Sequence, residues 1–333
     1  MANILLTERC VRSCPYCFAK KHMADSNPDD ILVWSDFLYL VDLFQSSNEN
    51  HVSLLGGEPT LHPEFVGFVR YLLDRQFHVN VFTSGILSSR TLEHARKLLA
   101  EVSPDALSFV CNLNDPRISP EPERNRISEF FATFNRHTSL GVNIYALDFD
   151  LGYACDAILR YNLKRNIRIG LAHPIPGEKN AHITVADLPS FAARLVSFMP
   201  LLSKLRITAG LDCGIPMCLF GDEQIGVLFK ANHGNVRFGC GPAIDFGSDM
   251  TVWSCFPLAN YHRRSVYDFD SIQAIRAYFE SLHGKIKVEA GGIYLACDEC
   301  QHLQTGLCRG GCAAHLLEAM RNEERTRIAE VYE

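Results

Sequence analysis

The chain has 333 residues, 47% of them hydrophobic and 21% charged, with a formal net charge of −6. That balance supports one large domain or two, and excludes a disordered chain and a globally basic nucleic-acid binder. Thirteen cysteines without a secretion signal point to a reducing compartment, hence the cytoplasm, and to metal ligation instead of disulfides. No apolar stretch reads as a membrane span.

Strand-like and helix-like segments alternate through the first two-thirds. The apolar start Asn3–Thr7 is followed by a helix with Ser35 as its N-cap and Phe37, Leu40, Val41 and Phe44 as its apolar face. Strand His51–Leu55 precedes a helix marked by Phe65, Phe68, Val69 and Leu72. His78–Thr83 and Ala106–Asn112 come next, then a stripe of Ile127, Phe130, Phe131 and Phe134. Val142–Phe149, Ile167–Ala172 and a helix through Leu188, Phe191, Leu195 and Phe198 complete the series. The stripes read as core. Six such units predict an α/β fold, a parallel sheet with helices outside, curved into a partial barrel. Polar residues at the C-terminal strand ends are then the natural site residues. No repeat or long linker interrupts the chain. Cysteine density rises near Leu205, which divides it into 1–205 and a small cysteine-rich α+β domain, 206–333.

Two motifs carry chemistry. Cys10, Cys14 and Cys17 follow the first strand in the spacing C-x3-C-x2-C, with Tyr16 and Phe18 flanking the third thiol. Three thiolates can hold three irons of a [4Fe–4S] cube and leave the fourth iron open, whereas zinc asks for four ligands. The second strand ends in Gly56-Gly57-Glu58-Pro59, where glycines let the backbone approach a ligand and Glu58 offers an acceptor to an ammonium.

Together, in this order, the two motifs resemble those of the radical S-adenosylmethionine (SAM) enzymes. The resemblance implies a (β/α)6 TIM-like barrel open on one side. It implies a [4Fe–4S] cluster on Cys10, Cys14 and Cys17 whose open iron chelates SAM, reductive cleavage to a 5′-deoxyadenosyl radical, and abstraction of a substrate hydrogen. Gly56 to Pro59 stand where the family binds the SAM amino group, and Thr83-Ser84-Gly85 where it often has Thr-Asn-Gly. By position, Asn112, Asn114 and Asp148 could reach the ribose or methionine part of SAM, though such residues are as often turn formers. His173, opening His173-Pro174-Ile175-Pro176-Gly177, could frame the adenine pocket or be a satisfied loop histidine. An electron donor such as flavodoxin or ferredoxin is the implied reductant.

Eight cysteines lie in the last third. Residues from Cys240 to Cys255 read as a β-hairpin with a Gly247-Ser248-Asp249 turn that brings two thiols together. Cys297-x2-Cys300-x7-Cys308-x3-Cys312 follows, with Gly310-Gly311 before the last thiol. Alone, this pattern also suits a zinc ribbon. It resembles the SPASM or twitch extension of radical SAM enzymes, which implies one or two auxiliary [4Fe–4S] clusters. The resemblance puts Cys218, Cys240, Cys255 and Cys312 around the first. Cys297, Cys300 and Cys308 take the second, completed by Cys213 or an exogenous ligand, with Cys213 and Cys218 interchangeable. The chain departs from the pattern in the long gap before Cys308 and in having no cysteine after Cys312. Cys111 and Cys155 fit no ligand pattern and read as core.

The resemblance implies oxidative modification of a peptide or protein, by crosslink or thioether formation. A twitch-type small-molecule dehydrogenase or mutase is the alternative. A non-catalytic zinc or iron–sulfur module would explain the late cysteines but not the strand-end Gly-Gly-Glu-Pro or a loop of three thiols. The thiol loop begins at residue 10, so a separate leader-recognition protein is expected if the substrate is a peptide. No residue reads as acid, base or hydrogen donor.

Overall fold

The computed structural model describes residues 2–20, 23, 27, 29–99, 102–212, 214–241 and 243–323. Alternating apolar stripes build seven parallel strands with helices between them. These are β1 (Ala2–Leu5), α1 (Trp34–Ser46), β2 (His51–Leu55), α2 (Phe65–Asp74), β3 (His78–Thr83), α3 (Ser89–Leu99) and β4 (Leu107–Asn112), then α4 (Glu121–Phe134), β5 (Thr138–Ile144), α5 (Gly152–Tyr161) and β6 (Asn166–Leu171). The pair α6 (Leu188–Ser197) and α7 (Met199–Leu205) leads to β7 (Thr208–Asp212). On β4, Leu107, Phe109 and Cys111 turn toward the helices and are buried. Phe109 stacks on Phe134 of α4 at 5.3 Å and meets Phe130 edge-on at 5.4 Å. The stripes on α1, α2 and α4 are the buried faces of those helices, and Cys111 and Cys155 sit in the core.

Several expectations need correction. The fifth strand starts and ends earlier than Val142–Phe149, because Asp150 Oδ1 accepts from the Gly152 N–H at 2.9 Å and starts α5, turning the chain over residues 146–148. Asp148 therefore lies in a turn beyond the strand. Ser35 is inside α1, whose cap residue is Val33, with no side-chain cap. Val185–Leu205 is, by length and composition, apolar enough to cross a membrane. In the fold it breaks into a short 3-10 turn, α6 and α7, with Leu188, Phe191, Leu195, Met199 and Leu202 buried.

The last third contributes α8 (Asp222–Ala231), β8 (Ile244–Phe246), β9 (Thr251–Ser254), β10 (Arg264–Ser265), α9 (Ile272–Ala290), α10 (Gln301–Gln304) and α11 (Ala313–Glu323). The expected hairpin is β8–β9, paired Ile244 to Ser254. β8 also pairs in parallel with β1, so one open ten-stranded sheet runs β10-β9-β8-β1-β2-β3-β4-β5-β6-β7. Residue 205 is not an edge of that sheet: β7 continues it on one side and the hairpin on the other.

Register sets five polar residues in one row across this sheet: Asp245, Asn3, Ser53, Asn80 and Ser108. Asn3 Nδ2 donates to Asp245 at 2.7 Å, and Ser108 Oγ to Asn80 at 3.0 Å. Burial pushes the Asp245 carboxyl up to about 7, against the lowering effect of the Asn3 hydrogen bond. The folded protein therefore holds this proton at pH values where the unfolded chain has released it. Its contribution favours the fold at low pH and is lost as pH rises toward 7. Asp245→Asn is expected to flatten the fall in unfolding free energy between pH 3.8 and about 7, read from urea melts against the unmodified protein.

Candidate active site

The thiol loop is built by the end of β2 gripping the chain that leaves β1. The Gly57 N–H donates to Thr7 O at 2.8 Å and the Glu58 N–H to Arg9 O at 2.7 Å. A Cβ on Gly56 would lie 2.2 Å from Thr7 O, and one on Gly57 2.3 Å from Arg9 O. Only glycine permits this approach. The glycines thus serve backbone packing one residue before Cys10, which sequence reasoning had assigned to a ligand.

Glu58 departs from expectation in the same way. It is fully buried, and its carboxylate is taken up by the protein. Oε1 accepts from Thr60 Oγ1 and Thr83 Oγ1, both at 2.7 Å, and from the Thr60 N–H at 3.3 Å. Oε2 accepts from the Ser84 N–H at 2.7 Å and Ser84 Oγ at 2.5 Å. Five donors satisfy the buried carboxylate from within the protein. Thr83 and Ser84, expected to contact SAM, hold Glu58 with their side chains. Pro59 opens the short 3-10 turn Pro59–Leu61 that delivers the Thr60 donors.

Cys10, Cys14 and Cys17 are half-buried on this loop. The Cys17 N–H donates to Cys14 O at 3.2 Å, and the Arg12 N–H points at Cys10 Sγ at 3.4 Å. Burial first, and then the charges of Glu58, Cys17 and Cys14, push the Cys10 thiol up to about 11 against the Arg12 N–H. Burial, with Cys14 adding to it, raises Cys17 as well. Thiols held in this way, like Cys10 and Cys17, ionise together only against a cationic centre. The donor set therefore fits an iron–sulfur cluster.

Sequence reasoning missed Arg12. Its side chain is 6% exposed, pairs with Glu123 of α4 at 3.1 Å and donates to Asn112 O at 2.9 Å. Arg12 Nη2 and Asn112 Oδ1 are both buried without a hydrogen-bond partner. A donor and an acceptor left open beside the thiols suit the carboxylate and ammonium of an amino-acid ligand such as SAM. Tyr16 donates to Asn114 Oδ1 at 2.8 Å and stacks on Tyr145 at 5.0 Å. Asn114 Nδ2 reaches Cys14 Sγ at 3.9 Å. Phe18 is half-buried in the following turn. Asp148 and Asn114 line a cavity of 310 Å³ together with Asp115, Asn143, Tyr145 and Asp150. His173 is buried, its Nδ1 3.2 Å from Nε2 of His315 on α11, which ties the loop after β6 to the C-terminal helix.

The later cysteines sort into two neighbourhoods. Burial and then the thiols of Cys308, Cys297 and Cys300 raise Cys218. Burial and then Cys240 push Cys312 up to about 12, and Cys255 packs in the same small apolar cluster as Cys312. Cys218 thus lies near Cys297, Cys300 and Cys308, which accords with the alternative in which Cys213 and Cys218 exchange places. Cys213 lies outside the described residues. Among the described residues no three His, Cys, Asp or Glu side chains close on a single metal ion. Gly57→Ala is expected to displace Arg9 and the thiol loop. The check is iron content after anaerobic reconstitution, lower by about four irons per chain with the far-UV circular dichroism retained.

The Radical SAM superfamily model matches residues 4–126, which contain both the thiol loop and its clasp. Molybdenum cofactor biosynthesis protein 1 of Dictyostelium discoideum is 33% identical over 289 residues, 70% of this chain and 44% of that protein. The chain thus spans less than half the length of that relative. Native anSMEcpe with bound AdoMet shares the fold at a TM-score of 0.63 and 16% identity, covering 99% of this chain and 97% of that one. Streptococcus suis SuiB bound to precursor peptide SuiA does so at 0.57 and 12%, covering 81% and 62%. The family model is thus matched on the residues that form the loop and hold it, and residues 4–126 carry a radical SAM domain.

Proposed function

We propose that the protein binds SAM at a [4Fe–4S] cluster held by Cys10, Cys14 and Cys17 and carries out an oxidative radical modification of a peptide or protein. The observation that carries this reading is the loop of three thiols fixed by the Gly56-Gly57-Glu58 clasp. When bound, the cluster and SAM supply reductive cleavage and hydrogen abstraction from the substrate. The chain's own part is positional. The clasp fixes Cys10, Tyr16 and Asn114 fix Cys14, and the half-buried Arg12–Glu123 pair anchors the loop to α4. Arg12 Nη2 and Asn112 Oδ1 are open to the amino-acid end of SAM.

The two C-terminal neighbourhoods support auxiliary clusters, one on Cys218, Cys297, Cys300 and Cys308, the other on Cys240, Cys255 and Cys312 with Cys213 as the remaining thiol. Clusters held there would supply an acceptor for the electron lost when a substrate radical becomes an oxidised product. The peptide reading draws on the fold shared with SuiB, whose structure holds a precursor peptide. A separate protein would then present the peptide, and a flavodoxin or ferredoxin would reduce the first cluster. The second reading, a small-molecule reaction, is favoured by the molybdenum-cofactor relative.

Dithionite-dependent formation of 5′-deoxyadenosine from SAM by the anaerobically reconstituted protein is the expected activity, abolished when Cys10, Cys14 and Cys17 are all changed to Ala. That triple variant is expected to retain about four or eight irons, for one or two auxiliary clusters. Zinc in place of all iron would leave a radical SAM enzyme with a zinc-stapled tail and favour the small-molecule reading.

A further inference from the structure

The face of the sheet turned away from the helices carries a carved polar floor. Two rows cross it in register: Asn112, Gly141, Arg168 and Gly210, and one step further along Asn143, Gly170 and Asp212. Polar residues alternate with glycines. A Cβ on Gly141 would lie 2.5 Å from Asn112 Oδ1, and one on Gly170 2.5 Å from Asn143 Oδ1 and 3.8 Å from Arg168 Nη1. The glycines make room for these side chains to lie across the neighbouring strand. Above Gly170 the heads of Asn143 and Arg168 converge, and Arg168 is ion-paired with Asp212. The Arg168 guanidinium also lies 5.2 Å from the ring centre of Phe82. Both members of the pair are about one-third exposed, so they face open space instead of core.

The position of this floor gives it a use. At one end, the Tyr16 hydroxyl, on the loop between Cys14 and Cys17, reaches Asn143 as well as Asn114. At the other end, the Asp212 carboxylate is close enough to act on the Cys240 thiol, alongside Lys287 and Arg309. A substrate that gives up a hydrogen at the first thiol site and an electron to the second must lie between them, over Arg168 and Asp212.

We infer that Arg168 and Asp212 form a donor–acceptor clamp for an amide of the substrate, the guanidinium donating to its carbonyl and the carboxylate accepting from its N–H. Charge decides the class. Among the described residues, the inner face of β4 to β7 carries one guanidinium and one carboxylate, already balanced, and its other polar heads are neutral amides and hydroxyls. A neutral floor offering both donors and acceptors matches a peptide backbone. It opposes a polyphosphate, which needs unbalanced cations. This inference rests on the peptide reading above and names the residues that would enforce it.

The test uses reconstituted protein with SAM, in the wild type and in Arg168→Gln, Asp212→Asn and Asp212→Glu. Each is dialysed against a pool of N-acetylated, C-amidated tetrapeptides, with retained members read by mass spectrometry, and is titrated with tripolyphosphate by calorimetry. The wild type is expected to retain members of the pool. Arg168→Gln and Asp212→Asn lose them by about tenfold or more, as removal of a charge-assisted hydrogen bond gives. Asp212→Glu, which keeps acceptor and charge balance, retains them. Tripolyphosphate binds only Asp212→Asn, where the guanidinium stands unbalanced. The clamp is overturned if the wild type retains none of the pool, if Asp212→Glu loses it too, if all four proteins retain it equally, or if the wild type binds tripolyphosphate as tightly as the retained peptides. Dithionite-dependent 5′-deoxyadenosine formation by the wild type is measured in parallel. Its absence refutes the radical SAM reaction, whereas its presence with failed peptide retention refutes the clamp alone.

Discussion

One buried carboxylate organises the catalytic end of this protein. An ionised carboxylate away from water is tolerated only when its lone pairs are filled, and Glu58 has five donors from three residues. Two of those residues, Thr83 and Ser84, lie at the end of β3; the third, Thr60, lies in the turn after β2. The anion therefore ties two strand ends together, while the backbone on its N-terminal side holds Thr7 and Arg9. The thiol loop hangs from this knot. Its geometry follows from strand ends that cannot shift separately, so a loop with little regular structure of its own still presents three thiols in a fixed relation.

The sequence made the parallel core legible because its signal is repeated and physical. Phe37, Phe68, Phe130 and Phe191 recur at helical spacing and are all fully buried. It failed where a short segment had to be read without a partner. β7 is Thr-Ala-Gly-Leu-Asp, too short and too mixed to register as a strand until β6 pairs with it. The fifth strand was misplaced because Tyr145 to Phe149 looks extended, while Asp150 turns the chain. At the site, the motif drew attention to residues whose visible partners lie within the protein. Gly56, Gly57 and Glu58 are spent on protein contacts, which a pattern of letters cannot distinguish from ligand contacts. Arg12 and Arg168 left fainter signs: a lone arginine between two thiols, and a lone arginine in the apolar run Ile167 to Leu171.

The cysteine groups show how three-dimensional proximity overrules linear order. Cys218 and Cys240 are near neighbours in sequence among the later thiols, yet Cys218 lies near Cys308, Cys297 and Cys300 and Cys240 near Cys312. The chain between them forms α8 and returns to the sheet. Gly214 packs against Cys312, where a Cβ would come within 3.0 Å, so the strand-end segment after Asp212 lies beside the thiol closest to α11. The loop after β6 closes the circuit: Ala181 N–H donates to Pro15 O at 2.9 Å, and His173 meets His315. One connecting segment thus touches both the first thiol loop and the helix that follows the last thiol.

The pairing of β8 with β1 has a consequence for how the chain is made. β1 is an interior strand, but one of its two neighbours comes from residues 244–246, synthesised after all the other parallel strands. Until then the first strand presents a bare row of amides and carbonyls while the rest of the parallel half-sheet is already available to form. A nascent chain paused in its middle third exposes the edge most prone to join another copy. Circular permutants that place the hairpin ahead of β1 would cover that edge first, and so alter the yield of native protein without altering a single contact in the finished fold.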